Sequence, residues 1–320
     1  MYKKIKTDIT KEELDEKIKP TYKGKNIDCT FRGSNKLFDL TPQPGEIVSP
    51  ETAKGFGRSV RNTFKTWNLA RKTKYGNIDK NGKVLSRTDT TPEFWKEFER
   101  IAKEKGVQII NYMPVIEEFV FYDIEVYGKN MILMGQEMRW DRIKTANSTI
   151  AAWESMRLQD VLGATTLQLT EYLQEQGYKA EAQVPFGGKV LVPPHVVAAT
   201  LAIKGKAGLP ITPEFGPRMR WGFITVDCDI PETKKRDLSE LKAFCDGCNL
   251  CVKECLGEAI FEEPIVKSGG MLTHIDRDVC FETLRTQSYC SLCLKVCPPA
   301  VEPKSKIFKD ILKKVEYSRL

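Results

Sequence analysis

Long hydrophobic runs are missing from this sequence. No apolar stretch approaches the roughly 18 residues that a membrane-spanning helix needs. The opening MYKKIKTDITKEELDEKIK is basic but has no apolar core and no twin-arginine pair leading into one, so no secretory signal is expected and the cytoplasm is the expected location. Blocks of five or more like charges are also absent. The net charge of +7 therefore reads as a solubilising surface, and nucleic acid is not an expected partner. Histidine is scarce, with His195 and His274 the only two. What remains is 320 residues, 41% hydrophobic and 29% charged, enough for a full core plus a smaller module.

Cysteine is present and unevenly spread. Eight of the ten fall in the last quarter of the chain. FCDGCNLCVKECLGEAI places Cys245, Cys248, Cys251 and Cys255 in a C-x₂-C-x₂-C-x₃-C run. CFETLRTQSYCSLCLKVCPP supplies Cys280, Cys290, Cys293 and Cys297, followed by Pro298. In a reducing compartment such cysteines read as metal ligands rather than disulfides. Eight thiolates suffice for two [4Fe–4S] clusters, and in two-cluster modules the fourth cysteine of a run ligates the other cluster. That rule groups Cys245, Cys248 and Cys251 with Cys297, and Cys255 with Cys280, Cys290 and Cys293. Two Cys₄ zinc sites are the competing assignment, but zinc ribbons favour C-x₂-C pairs separated by longer loops, not three cysteines in seven residues. Of the remaining two, Cys29 has an uninformative context and Cys228, on an expected strand, reads as a small buried hydrophobe.

Three regions follow from composition and periodicity. Residues 1–90 form an irregular arm, with a Pro-rich stretch DLTPQPGEIVSP and an Asn81-Gly82 hairpin signal. Residues 91–237 alternate helix and strand patterns, which predicts an α/β layer fold. Its first helix is framed by Thr91 as cap, Pro92 and Gly106, with Phe94, Phe98 and Ile101 as its apolar stripe. Strands are expected at VQIINYM, NMILMGQEM, KAEAQVP and MRWGFITVDCDI, and a long helix from Thr149 to Gln176. NMILMGQEM is apolar on both faces and reads as central. Residues 238–320 form the cysteine module, closed by an amphipathic helix in IFKDILKKVEY.

The segment ATLAIKGKAGLPITPEFGPRMRWG, Ala199 to Gly222, resembles a signature shared by corrinoid reductive dehalogenases and epoxyqueuosine reductases, AGLGxIGRxGLLITPEFGPRVRLG. EYLQEQGYKAEA is similar to a second element of those families, and the order of elements agrees over about residues 92–300, closer to the dehalogenase branch. The resemblance implies a nitroreductase-like α/β (α+β) domain holding cobalamin, with a C-terminal ferredoxin-like two-cluster module feeding it electrons. Gly205, Thr212, Pro213, Glu214, Phe215 and Gly216 are the expected cofactor contacts. A ferredoxin or flavodoxin donor and a small organic substrate are the implied partners.

The chain also departs from that pattern. AGLG reads ATLA here, losing two glycines. RLQDVLG lacks the dehalogenases' proton-donor tyrosine, and VPFGGKVLVPP lacks the aspartate of the epoxyqueuosine reductases. Tyr122 and Lys206 are the replacement candidates, Tyr122 as donor and Lys206 to hold an anionic substrate or lower a tyrosine's pKa. His195 reads either as a helix cap or as an axial ligand or proton donor. Arg139, Trp140 and Arg142 form a basic-aromatic group after a strand end, where ligands of α/β sheets bind. The other functions weighed are an epoxyqueuosine-type tRNA reductase and a cobalamin-free iron–sulfur electron-transfer or binding protein.

Overall fold

The computed structural model describes residues 84–121, 125–184, 188–267, 270–287 and 290–317. Nearly all of the expected N-terminal arm, including Cys29, and the candidate donor Tyr122 lie outside the described residues.

Helix α1 (Pro92–Glu104) starts where its cap chemistry says it should. The Thr91 hydroxyl accepts the Phe94 N–H at 3.2 Å, and Gly106 ends the turn at φ +87°. The buried face is rotated slightly from the expected stripe. Trp95, Phe98 and Ala102 are inside, while Phe94 and Ile101 pack at the margin. Trp95 can go inside because its ring N–H donates to the Thr90 hydroxyl at 3.0 Å.

The sheet joins β1 (Ile109–Pro114), β2 (Asn130–Glu137), β6 (Met219–Val226) and β3 (Ala180–Gln183), in the order β1-β2-β6-β3. Every pairing is antiparallel, so the alternation of helices and strands produces an α+β layer rather than parallel βαβ units. β2 is interior, as its two-sided apolar pattern requires. Ile132 and Met134 pack towards α1 and the long helix α3 (Thr149–Glu175), with Leu169 and Leu173. Met131 and Leu133 face the opposite layer, where α4 (Val192–Ala198) brings Val196 and the chain after it adds Ala199, Leu201 and Ala202. α3 begins on Ser148, whose hydroxyl accepts the Ala151 N–H at 3.3 Å. It lies close enough to β6 that a Cβ at Gly222 would sit 2.3 Å from the Thr166 hydroxyl. Cys228 is buried in this core, as a small hydrophobe would be.

Short helix α2 (Trp140–Ile143) follows β2, and a two-stranded ribbon of β4 (Ile203–Lys204) and β5 (Pro210–Ile211) follows α4. The cysteine module then comprises α5 (Ser239–Cys248), α6 (Leu250–Lys253), a hairpin of β7 (Ile260–Lys267) and β8 (Met271–Ile275), α7 (Arg277–Thr286), α8 (Leu292–Val296) and α9 (Lys306–Tyr317). α9 closes back on the module. Phe308, Ile311 and Val315 pack with Leu238, Leu241 and, from the ribbon, Ile203 and Ile211, against Cys245 and Cys297. Among the described residues no helix is long and apolar enough to cross a membrane.

Candidate metal centre and the loop against it

Cys245 and Cys248 occupy the last turns of α5. Asn249 then turns the chain in the left-handed region at φ +52°, a conformation Asn tolerates better than most residues, and α6 carries Cys251 back past them. Cys280 sits on α7, Cys293 on α8, and Cys297 caps the end of α8. All the described cysteines are free thiols.

Their surroundings separate them into two groups. Cys245, Cys248, Cys251 and Cys297 line one pocket, with Ile211, Leu241, Phe244, Pro298 and Pro299 completing its apolar wall. Burial, then Cys245, Cys251 and Cys248, push the Cys297 thiol well above its ordinary range. Burial, then Cys255 and Cys290, push Cys280 up to about 11. Burial, then Cys280 and Cys290, raise Cys293 too. Thiols buried together with their pKa values raised are poorly placed as isolated acids. They are well placed as metal ligands, because iron replaces the protons and neutralises the thiolates. Among the described residues no three or more Cys, His, Asp or Glu side chains converge on a point that would hold a single ion. Cys245, Cys248, Cys251 and Cys297 instead line one shared space, which a polynuclear cluster would occupy. Backbone donors are in place as well. The Ala259 N–H donates to Cys255 Sγ at 3.3 Å, and the Lys206 N–H lies against Cys245, opposing the larger effect of burial on its thiol. Hydrogen bonds of this kind are among the determinants of cluster potential. These residues fit [4Fe–4S] clusters.

The signature loop lies against the second cysteine block. Thr212 and Gly216 form a bridge, and the Thr212 hydroxyl accepts the Phe215 N–H at 3.1 Å. Gly216 has φ +60°, and a Cβ there would lie 2.6 Å from the Ala300 nitrogen. Glu214 accepts from the Arg236 guanidinium at 2.7 Å. Gly205 leaves room for Ile211, whose Cδ1 would be 2.3 Å from an added Cβ. At Gly205 and Gly216 the missing Cβ thus lets the protein's own Ile211 and Ala300 approach, while Thr212 and Glu214 bond within the chain. The ATLA change has a local cause for concern of another kind. Thr200 stands at φ +54°, a conformation that suits the glycine of the signature, and its hydroxyl accepts the Arg236 N–H at 2.8 Å.

Lys206 is 7% exposed. Its ammonium donates to the Asp246 carbonyl at 2.8 Å and to the Asn249 side chain, so it braces the turn between the cysteine helices. His195 is not a cap. It is fully buried, with Nδ1 2.7 Å from the Leu191 carbonyl and Nε2 accepting the Ile116 N–H at 3.3 Å. Burial lowers its pKa to about 4, so the neutral ring is a core group with both nitrogens engaged. Arg139 pairs with the buried Glu154, and Arg142 with Asp141, on a solvent-facing turn.

Sequence reasoning passed over two arginines. Arg218 is fully buried and donates to the Ala300 carbonyl at 2.6 Å, the Met138 carbonyl at 2.8 Å, Glu302 at 3.0 Å and Glu137. It ties β2, the signature loop and the second cysteine block together. Arg220 lies two residues further along β6, and its buried Nε has no hydrogen-bond partner among the described residues. Their signal is in RMRWGFITV, where Arg218 precedes and Arg220 interrupts a strand otherwise apolar enough to be buried.

No family model matches the chain. It is 26% identical over 179 residues to the tetrachloroethene reductive dehalogenase of Sulfurospirillum multivorans, covering 53% of this chain and 35% of that protein. It is 29% identical over 136 residues to the enzyme of the same name from Dehalobacter restrictus, covering 42% and 24%. The chain thus spans about a third or less of the length of the curated relatives it matches. Among solved structures, a catabolic reductive dehalogenase superposes with a TM-score of 0.68 at 18% identity, over 81% of this chain and 39% of that one. An epoxyqueuosine reductase bound to a tRNA stem loop gives a TM-score of 0.46 at 14% identity, over 68% of each chain.

Proposed function

The chain is a relative of the reductive dehalogenases, within the superfamily that also holds the epoxyqueuosine reductases, and on that premise we propose that it is a reductase of the reductive dehalogenase type. It passes single electrons through two [4Fe–4S] clusters to a small organic substrate, halogenated as the relatives' names indicate. The observation that carries this reading is the pocket ringed by Cys245, Cys248, Cys251 and Cys297, beside a second group of neighbouring thiols. The ligand sets are the two groups named above, each drawing one cysteine from the other block. A ferredoxin or flavodoxin is the proposed electron source and the cytoplasm the proposed location.

Cobalamin is the finer part of the proposal and rests on the relatives. When bound it would supply a strongly reducing centre for the substrate. Gly205, Thr212, Pro213, Glu214, Phe215 and Gly216 are the proposed cofactor contacts, and they have a second part as well. They hold the α+β layer against the cysteine module, which fixes the distance electrons must cross. Lys206 holds the turn that presents Cys245, Cys248 and Cys251. Tyr122 remains the proposed proton donor, outside the described residues.

Anaerobic reconstitution with metal analysis and a cobalamin titration tests both parts. About eight iron atoms per chain are expected. Cys297→Ser and Cys293→Ser should each fall to about four, on different clusters. Iron without cobalamin uptake would favour an iron–sulfur electron-transfer protein on this fold. Two zinc ions and no iron would overturn the whole reading.

A further inference from the structure

Arg220 is a partly exposed cation whose Nε is nonetheless buried without a hydrogen-bond partner among the described residues. Along β6 the side chains alternate, and Gly222, two residues on, faces Leu162 and Thr166 of α3. Arg220 therefore extends on the α3 side of the sheet, where Leu158 of α3 packs with Met138, Ile143, Leu294 and Cys293. Its partner across the ladder is the neutral Gln136. Three other cations near the centre have protein partners. Arg218 has Glu137 and Glu302, Lys206 has Asn249 and the Asp246 carbonyl, and Lys295 donates to the Ala146 carbonyl at 2.6 Å. Arg220 Nε is buried without any partner among the described residues.

We propose that Arg220 is the counter-ion of the second cluster, the one held by Cys255, Cys280, Cys290 and Cys293, and that it raises that cluster's reduction potential relative to the first. This rests on the two-cluster reading above. A [4Fe–4S] cluster with four thiolates carries two negative charges when oxidised and three after taking up one electron. A fixed positive charge beside it stabilises the reduced form more, so the electron is held at a higher potential. Cys293 packs against the same cluster of Met138, Leu158 and Leu294 towards which Arg220 extends. Electrons entering at the first cluster would then run downhill to the second, towards the α+β layer.

The test is an EPR-monitored redox titration of the reconstituted protein with Arg220→Gln and Arg220→Lys, each with iron analysis. The expected result is a negative shift of one cluster's midpoint in the Gln variant, the other midpoint unchanged, and recovery towards wild type in the Lys variant. If Arg220→Gln retains only about four irons while Arg220→Lys retains about eight, the charge requirement is also supported. Eight irons with both midpoints unmoved in Arg220→Gln would overturn the assignment. So would equal iron loss in the Gln and Lys variants, which marks a packing role. Unchanged midpoints with lost cobalamin uptake would place the guanidinium against the corrinoid instead, and overturn it too. Absence of iron from the wild-type protein would sink the two-cluster reading and the role of Arg220 with it, whereas unmoved midpoints in an iron-loaded variant would overturn the role of Arg220 alone.

Discussion

The α+β layer and the cysteine module solve the problem of burial in opposite ways. In the layer, most polar groups that go inside find protein partners. Trp95 has Thr90, His195 has two backbone groups, and Glu154 is bonded by Arg157 at 2.7 Å. Burial alone would raise the Glu154 pKa, yet Arg157 and Arg139 more than offset it and hold the carboxyl low. In the module, thiols are buried against thiols, and Arg220 of β6, whose Nε has no partner among the described residues, extends towards them. On the two-cluster proposal the module is complete only with metal, in the manner of small metallo-domains whose binding free energy is also folding free energy.

The sharpest way to break this comparison is to remove iron. Chelation under anaerobic conditions should abolish hydrogen-exchange protection in α5 to α8 while β2 and β6 stay protected. Equal loss in both regions would show that the layer, too, depends on metal. Next in size is Gly216→Val, at the seam. The positive φ and the approach of Ala300 should together cost about 2–4 kcal/mol of stability in urea unfolding of the iron-loaded protein. A cost confined to the module, with the sheet unaffected, would place the seam on the module's side.

The smallest expected effect lies in the layer and depends on pH. The His195 pKa is lowered to about 4 when folded, against about 6.5 when unfolded, so between those values the unfolded chain binds the extra proton. Stability from this residue is present above pH 6.5 and is lost as pH falls through the window, by up to about 3 kcal/mol near pH 4. His195→Phe should flatten that part of the stability curve measured by urea unfolding. An unchanged slope would mean the acid sensitivity comes from carboxylates alone.

Much of this was legible from residue order. The cysteine spacing, the Thr91–Gly106 helix frame, the two-sided apolar β2 and the packing of α9 on the module all follow from local pattern. The strand order did not, because pairing β6 between β2 and β3 depends on long-range contacts that periodicity cannot see. Nor did the use of the signature glycines. Gly216 reads as clearance for a ligand until Ala300, far along the chain, is found in the space. His195 misled for a related reason, since a histidine near a helix start resembles a cap, whereas its two nitrogens answer backbone groups at Leu191 and Ile116. Arg220 was hidden by its neighbours, a single charge within a strand whose apolar pattern dominates the reading.

Cys297 shares its pocket with three cysteines from the other block. A nascent chain that has emerged only as far as α6 therefore displays three thiols with no fourth, and Cys255 waits likewise for Cys280, Cys290 and Cys293. On the proposed ligand sets neither centre can be filled while the ribosome is still between the blocks, and a carrier that hands over preformed clusters would find its acceptor only once both blocks have met.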